Sequence, residues 1–271
     1  MNFVDFTKLD IVKAKTASSK GNQLKWLHNN KWYKLDHMGY EGLSEVVVSQ
    51  LLKKSNITNY VSYKPIKIKY KLTEKAGCYS DNFKDKDEII ITLERLFKLY
   101  TGKSLAKELA QLTEIEDRIK YTVDFVEKIT GLQNVGEYFA ILIELDAFFL
   151  NEDRHTNNIA LIKNEKADKY SFCPYFDFGL SLLSDTNDYP LNASLFDCIE
   201  QIKSKPFSTS FDEQLDAVEN LYGSYIGYTF DTNDINNALN MVAEYYDPII
   251  LERVQELLFR QKRKYSYMFK K

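Results

Sequence analysis

The spacing of apolar residues changes at about residue 92 of this 271-residue chain. Before that point, apolar and polar residues alternate over long stretches, which is typical of half-buried strands. After it, apolar residues recur every three or four positions, which is typical of helices. A chain that separates its strands from its helices in this way belongs to the α+β class. We therefore predict a sheet-rich N-terminal region over residues 1–92 and a mainly helical C-terminal region over residues 93–271.

Local signals place three elements in the N-terminal region. Two alternating runs flank Asn29-Asn30, and asparagine pairs favour the tight turn of a β-hairpin. The sequence GLSEVVVSQLL has helical spacing, so we expect a helix of about three turns that begins at Gly42 or Ser44. Alternation then returns over residues 60–72, which predicts further sheet.

Helix signals dominate the C-terminal region. Thr113 and Glu116 have the spacing of a capping box, and Gly131 has the position of a helix end. The final helix is expected to begin with Asp247 as its cap and Pro248 in its first turn.

Composition excludes several functional classes. The chain carries 39 acidic and 36 basic residues, and this near balance does not favour a broad electrostatic contact with nucleic acid. Its three cysteines are an odd number without CxxC spacing, which argues against a disulfide framework and a structural zinc site. No apolar run approaches the ~18–20 residues of a membrane span. We expect a cytoplasmic protein that does not bind a membrane.

The residues that carry chemistry lie in the stretch 150–179. A predicted helix leads into a polar loop with Asp153, His155 and Asn158, and a predicted hairpin of two short strands then leads to Asp177. Phosphoryl transfer from a nucleotide needs this order: a carboxylate that orients or deprotonates the attacking hydroxyl, followed by two oxygen ligands for magnesium. Asp153 suits the first role, while Asn158 and Asp177 suit the second. His155 is expected to organise the loop through backbone hydrogen bonds.

In this stretch the sequence resembles the HipA-like kinases, a bacterial branch of the protein-kinase-like fold that shares its type of catalytic loop with phosphoinositide kinases. The family's loop has the form Asn-x-Asp-x-His-x-x-Asn, which corresponds here to Asn151-Glu152-Asp153-Arg154-His155-Thr156-Asn157-Asn158. The family's metal-binding aspartate after the hairpin matches Asp177. The resemblance implies a two-lobed protein-kinase-like fold, with a small sheet-rich N-lobe over residues 1–92 and a mainly helical C-lobe over residues 93–271.

The resemblance also implies a lysine on an N-lobe strand that holds the phosphates and a helical glutamate that holds this lysine. Lys34, in the sequence WYKLD, and Glu45, in the predicted helix, are the best matches. Glu41 lies one helical turn before Glu45 on the same face and is the alternative partner of the lysine.

The loop over the nucleotide phosphates corresponds to residues 16–22. Gly21 allows close approach of the backbone, and Ser18 and Ser19 can donate hydrogen bonds to phosphate. Because the family's loop carries an autophosphorylated serine, the resemblance makes Ser18 and Ser19 candidates for this modification. The connecting segment with Ile90 and Ile91 is expected to offer backbone groups to adenine.

These features together predict an ATP- and Mg²⁺-dependent serine/threonine-protein kinase. The resemblance further implies a toxin of a toxin–antitoxin pair, with a DNA-binding antitoxin as partner. Two alternatives remain open at this stage. One is a lipid or small-molecule kinase, because phosphoinositide kinases share the loop; the other is a pseudokinase that binds nucleotide without turnover.

Overall fold

The structure is a computed structural model, and it describes residues 2–7 and 23–269. In chain order the strands are β1 (Phe3–Asp5), β2 (Lys25–His28), β3 (Lys31–Leu35), β4 (Tyr63–Tyr70), β5 (Thr73–Asp81), β6 (Glu88–Thr92), β7 (Ala160–Asn164) and β8 (Lys169–Phe172). The helices are α1 (Glu41–Leu52), α2 (Leu93–Thr101), α3 (Leu105–Leu109), α4 (Ile115–Thr130), α5 (Val135–Phe149), α6 (Leu195–Gln201), α7 (Phe211–Tyr222), α8 (Thr232–Asn240) and α9 (Pro248–Lys264).

The chain forms two compact units that interleave its segments. Unit 1 comprises Met1–Asn82, Phe176–Ile202 and Gly227–Lys271, and unit 2 comprises Phe83–Tyr175 and Lys203–Ile226. The predicted lobes are instead two consecutive stretches that meet at residue 92, and this boundary stays a prediction. Within the described residues, no helix is long and apolar enough to cross a membrane.

Unit 1 contains a five-stranded sheet in the order β1-β4-β5-β3-β2. β1 is parallel to β4, and the other neighbours are antiparallel. The hairpin turn predicted between β2 and β3 is confirmed, because Asn29 and Asn30 adopt positive φ angles of 49° and 57°. Its register places Lys25 directly opposite Lys34. The apolar core under this sheet includes Phe6, Trp26, Tyr33, Leu35, Ile66 and Ile68.

Helix α1 packs on β4 and β5, and nearly all of its residues are buried. It begins at Glu41, so the predicted starts at Gly42 and Ser44 were wrong. Acidic side chains that precede or open the helix explain the difference. Asp36 Oδ1 accepts a hydrogen bond from Gly42 N at 2.7 Å, and the Glu41 carboxylate accepts from the backbone just before the helix. These carboxylates satisfy backbone N–H groups around the first turn without a serine cap.

Unit 2 combines the three-stranded antiparallel sheet β6-β7-β8 with five of the helices. Helix α4 ends at Gly131 as predicted, with a left-handed φ of 71°. Its start differs from the capping box predicted at Thr113, because Glu114 is the N-cap and provides no side-chain cap. In unit 1, by contrast, Asp247 caps α9 and Pro248 lies in the first turn as expected.

Candidate active site

Three predicted site residues meet in unit 1. Lys34 lies on β3, Glu45 on α1, and Asp177 in the segment that follows β8 and Tyr175. The Lys34 ammonium contacts Glu45 Oε1 and lies 2.7 Å from Asp177 Oδ1. Glu45 also accepts a hydrogen bond from the backbone N–H of Phe178 at 3.0 Å. The helix, the strand and the Asp-Phe-Gly segment are therefore tied together by one glutamate and one lysine.

This cluster is buried, so its charges depend on one another. Lys34 is 7% exposed and Glu45 is 1% exposed. Burial by itself lowers the pKa of Lys34, but the Asp177 and Glu45 carboxylates outweigh it and hold the pKa well above the ordinary value. The ammonium also lies 5.1 Å from the centre of the Tyr63 ring. Lys34 is therefore a fixed positive charge in a buried position.

The structure distinguishes Glu45 from its competitor Glu41. The Glu41 carboxylate accepts hydrogen bonds from the backbone N–H groups of His37, Met38 and Gly39 at 2.8–3.1 Å. It therefore stabilises the turn before α1, whereas Glu45 pairs with Lys34.

A second lysine, which the sequence analysis missed, reaches the same aspartate. Lys25 Nζ lies 3.5 Å from Asp177 Oδ1, and its side chain is 17% exposed. The signal was present in the hairpin. A two-residue turn at Asn29-Asn30 places residues 25 and 34 directly across from each other, so their side chains share one face of the sheet.

The backbone around Asp177 is held in an uncommon conformation. Asp177 has a φ of 63°, and Leu182 and Leu183 also have positive φ values. Side-chain hydroxyls brace this segment: Ser44 Oγ donates to Ser181 O at 2.9 Å, and Tyr40 Oη donates to Leu182 O at 2.9 Å. Helix α1 thus fixes both Lys34, through Glu45, and the segment that presents Asp177.

The other predicted catalytic residues meet in a loop of unit 2. Asn158 Nδ2 donates to Asp153 Oδ2 at 3.2 Å and to Asp153 O at 2.8 Å. His155 Nε2 lies 3.7 Å from Asp153 Oδ2, and His155 Nδ1 accepts from Asn157 N at 3.1 Å. His155 therefore makes the backbone contact expected of a loop organiser.

Lys205 is a further partner of Asp153 that the sequence analysis missed. Its Nζ lies 3.3 Å from Asp153 Oδ1, and its side chain is 38% exposed. Because 52 residues separate the pair in sequence, no local pattern indicated the contact.

A buried ion pair between Arg154 and Asp146 stabilises this loop. The Arg154 guanidinium donates to Asp146 on α5 at 2.9 Å and to Asn158 O at 2.9 Å. Asn151 Nδ2 also donates to Asp146 at 2.9 Å. Burial raises the pKa of Asp146, while Arg154 and Asn151 act in the opposite direction. Asp146, one of two acidic residues in the apolar run AILIELDAFF, was the signal, because a buried carboxylate needs a charged partner.

The remaining predicted site residues have different outcomes. Ile90 and Ile91 lie on strand β6, where they pair with Ile162 and Leu161 of β7. β6 is an edge strand of its sheet, so one of its sides still offers backbone groups; adenine contact there stays a prediction. Ser18, Ser19 and Gly21, with the rest of residues 16–22, lie outside the described part of the chain.

Each of the two predicted magnesium ligands, one in unit 1 and one in unit 2, carries oxygen donors of a kind that suits the ion, and their joint binding of one ion stays a prediction. Asp177 offers carboxylate oxygens, and Asn158 offers its amide oxygen because its amide nitrogen donates to Asp153. Hard oxygen ligands of this kind, few in number, are what magnesium takes from protein when phosphates and water complete its shell.

The fold is that of a HipA-like kinase, and the predicted two-lobed α+β class is confirmed. One similar structure is the proinflammatory kinase CtkA of Helicobacter pylori, with a TM-score of 0.63, 18% identity, and coverage of 97% of this chain and 94% of that chain. HipA of the Shewanella oneidensis MR-1 toxin–antitoxin system, solved with HipB and operator DNA, has a TM-score of 0.52, 13% identity, and coverage of 91% and 65%. No protein-family model and no curated protein matches the chain.

Proposed function

We propose that this protein is an ATP- and Mg²⁺-dependent kinase that transfers the γ-phosphate to the hydroxyl group of a serine or threonine in a protein. The observation that carries the proposal is the buried lysine of β3 held by Glu45 and Asp177. A kinase needs such a fixed cation for the nucleotide phosphates, and it needs the lysine–glutamate pair to be in place. In this proposal the loop with Asp153 and Asn158 provides the proton acceptor and one of the two magnesium ligands.

Each residue has a definite task in this reaction. Lys34 binds the phosphates, and Glu45 keeps the ammonium in position. Asp153 orients the acceptor hydroxyl and takes its proton, while the hydroxyl oxygen bonds to the γ-phosphorus and the bond to the β–γ bridging oxygen breaks, which releases ADP. Asn158 and Asp177 would hold magnesium, which neutralises phosphate charge when bound.

The decisive experiment measures transfer of labelled γ-phosphate to mixed protein acceptors, with magnesium and with excess chelator. The wild type should label protein only with magnesium. Lys34→Met should abolish labelling, whereas Lys31→Met, a change on the same strand with its ammonium over Tyr79, should retain it. Since Lys34→Met leaves Glu45 buried without its cation, unfolding curves must accompany the assay.

Other outcomes select other functions. Labelling of lipid or small-molecule acceptors with none of protein would favour the lipid or small-molecule kinase. Nucleotide binding without transfer to any acceptor would favour the pseudokinase.

Autophosphorylation at Ser18 or Ser19 forms part of the proposal. A phosphate in the nucleotide-covering loop adds a charge of about −2 beside the ATP phosphates and should weaken nucleotide binding. Peptide mapping after incubation with magnesium-ATP tests this, and an active preparation without phosphate on either serine would contradict it.

By its likeness to HipA, whose structure includes HipB and operator DNA, we also propose a DNA-binding antitoxin partner. Co-purification from the native source tests this.

A further inference from the structure

The first turn of α2 is attached to the loop of unit 2 that contains the predicted catalytic residues. A helix leaves its first backbone N–H groups without partners inside the helix. In α2 the loop provides these partners. Leu93 N donates to Ile159 O at 2.8 Å, and Glu94 N donates to Thr156 O at 3.1 Å. Asn158, one of the two residues predicted to bind magnesium, therefore lies in sequence between two carbonyl groups that α2 holds.

The side chain of Glu94 adds a second link to the same loop. Its Oε2 accepts a hydrogen bond from Thr156 Oγ1 at 2.8 Å and another from the backbone N–H of Ala106, in α3, at 3.1 Å. Thr156 is buried, so little water competes for its bond to the carboxylate. One carboxylate oxygen thus joins α2, α3 and the loop.

Glu94 keeps its negative charge in this position. Burial by itself raises the pKa of the carboxyl group, but hydrogen bonds from the Ser104 and Thr156 hydroxyls and from the backbone N–H groups of Ala106 and Leu105 outweigh it, so the pKa is lowered. Hydrogen bonds to an ionised acceptor are roughly twice as strong as those between neutral groups. The bond from Thr156 to Glu94 is of this stronger kind.

The strand before α2 fixes the position of this link. Thr92 ends β6 and caps α2, because its Oγ1 accepts a hydrogen bond from Arg95 N at 3.2 Å. β6 also pairs with β7, and Thr92 lies opposite Ala160, the first residue of β7. The end of the loop, residues 156–159, therefore lies between two elements, α2 and β7, that β6 holds in a fixed register.

We propose that Glu94 and Thr156 are positioning residues for phosphoryl transfer, because their hydrogen bond fixes the loop in which Asp153 and Asn158 lie. The inference rests on the kinase function proposed above. Thr156 lies between these two residues in sequence, and Asn158 Nδ2 donates to Asp153 O at 2.8 Å, so a shift at Thr156 displaces both. A misplacement of about 1 Å can lower a rate about 10²-fold. Glu94 and Thr156 thus act on turnover through the loop and not through contact with the substrate.

The first test removes one hydroxyl group at nearly constant volume. Thr156→Val deletes the donor to Glu94 and retains the shape of the side chain, so the kcat of phosphate transfer should fall about tenfold to a hundredfold. The Kd for magnesium-ATP should change by less than about threefold, because Lys34 holds the phosphates in the proposed function. Thr156→Ser keeps the hydroxyl and should recover most of the loss in kcat. Thr101→Val is the matched control, because Thr101 Oγ1 donates to Phe97 O within α2, and it should have the kcat of the wild type.

A double change tests whether the hydroxyl acts through Glu94. Glu94→Ala should lower kcat at least as much as Thr156→Val, and adding Thr156→Val to it should cause no further loss, because both changes remove the same bond. If Glu94→Ala does not fold, the comparison of Thr156→Val with Thr156→Ser decides alone. Equal kcat values of these two Thr156 variants would overturn the inference. Losses that multiply in the double variant would also overturn it.

Hydrogen exchange gives a measurement that does not depend on phosphoryl transfer. Within the loop, Asn158 N donates to His155 O at 2.7 Å. Thr156→Val should speed exchange of this amide about tenfold, whereas Thr156→Ser and Thr101→Val should not. If the wild type transfers no phosphate but Thr156→Val speeds exchange, the link to the loop is retained and only the kinase proposal fails. If the wild type is active and Thr156→Val changes neither exchange nor kcat, only this inference fails.

Discussion

The charged centres of the two units are built in opposite ways. In unit 1 a lysine is enclosed by carboxylates: Lys34 contacts Glu45 and Asp177, and Lys25 approaches the same Asp177 oxygen. In unit 2 a carboxylate is enclosed by donors: Asp153 accepts a hydrogen bond from the Asn158 amide and lies close to the Lys205 ammonium and the His155 ring. The first centre holds two ammonium groups beside two carboxylates, and the second presents an oriented acceptor of protons.

This difference indicates a division of labour. In unit 1 the charges of two ammonium groups and two carboxylates cancel. A phosphate anion can therefore bind together with a metal ion without leaving a buried net charge. The partner Lys205 in unit 2 is more exposed, and its loss leaves Asp153 in contact with Asn158. We therefore expect changes in unit 1 to act on nucleotide binding and changes at Asp153 to act on turnover.

The largest expected effect sharpens this contrast at Asp153. Asp153→Asn retains the size of the side chain but removes the proton acceptor, so phosphate transfer should fall by about 10²–10⁴-fold, or about 3–5 kcal/mol of barrier. ATP affinity should change only a few-fold, because other groups hold the phosphates. Single-turnover kinetics and ATP titration measure the two quantities. Asp216→Asn, on an exposed part of α7, is the matched control.

Either of two results would break the contrast. If Asp153→Asn transferred phosphate at nearly the wild-type rate, Asp153 would have no role in the transfer step. If Asp153→Asn lost both ATP binding and its folded structure, the role of Asp153 would be to stabilise the fold.

The next effect concerns the support of the unit 2 loop. Arg154→Met leaves the buried Asp146 without its cation, so the free energy of unfolding should fall by about 3 kcal/mol or more. The double change Arg154→Met with Asp146→Leu should recover part of this loss, because no buried charge is then unpaired. Urea denaturation followed by circular dichroism measures both. Equal stability of Arg154→Met and the wild type would show that the pair does not hold the loop.

The third effect compares the two residues that are predicted to bind magnesium, Asp177 and Asn158. Asp177 carries a full negative charge, whereas Asn158 offers only a dipole. Asp177→Ala should therefore weaken magnesium-ATP binding at least about tenfold more than Asn158→Ala, or about 1.4 kcal/mol. Thermal shift and calorimetry with magnesium-ATP measure this. Wild-type magnesium-ATP binding by Asp177→Ala would exclude Asp177 from the metal site.

A structural feature can be predicted from the sequence when residues close together in the chain determine it. It is missed when it depends on pairing with distant residues. The hairpin at Asn29-Asn30 and the end of α4 at Gly131 depend on neighbouring residues, and both were predicted. Strand β5 was missed because its sequence, TEKAGCYSD, is largely polar and gains its place by pairing with β3 and β4. The triplet at residues 89–91 was expected as a connection, but pairing with β7 makes it a strand.

The same argument applies to the candidate site. Asp153, His155 and Asn158 lie within six residues, so one local motif brings them together. Lys205 reaches Asp153 from 52 residues away, and nothing local encodes that contact. Lys25 is intermediate, because the hairpin register encodes its position opposite Lys34 while the approach to Asp177 depends on the tertiary fold.

The smallest expected effect tests whether unit 1 needs two lysines. Lys34 has Glu45 as a second partner, whereas Lys25 approaches the centre through Asp177. If Asp177 held magnesium, the Lys25 ammonium would be repelled by the ion and would instead pair with a phosphate of the nucleotide. Lys25→Met should weaken magnesium-ATP binding about fivefold, or about 1 kcal/mol, and leave adenosine binding unchanged.

The control and the salt dependence decide how this result is interpreted. Lys31→Met removes a lysine from β3 whose ammonium lies 5.2 Å from the Tyr79 ring, so nucleotide binding should not change. If Lys25 contacts a phosphate, its removal should also reduce the salt dependence of ATP binding, because one charge contact is lost. Tighter magnesium binding by Lys25→Met with unchanged ATP affinity would mean instead that Lys25 only balances Asp177. Lys34 would then be the one lysine of this cluster that binds the nucleotide phosphates.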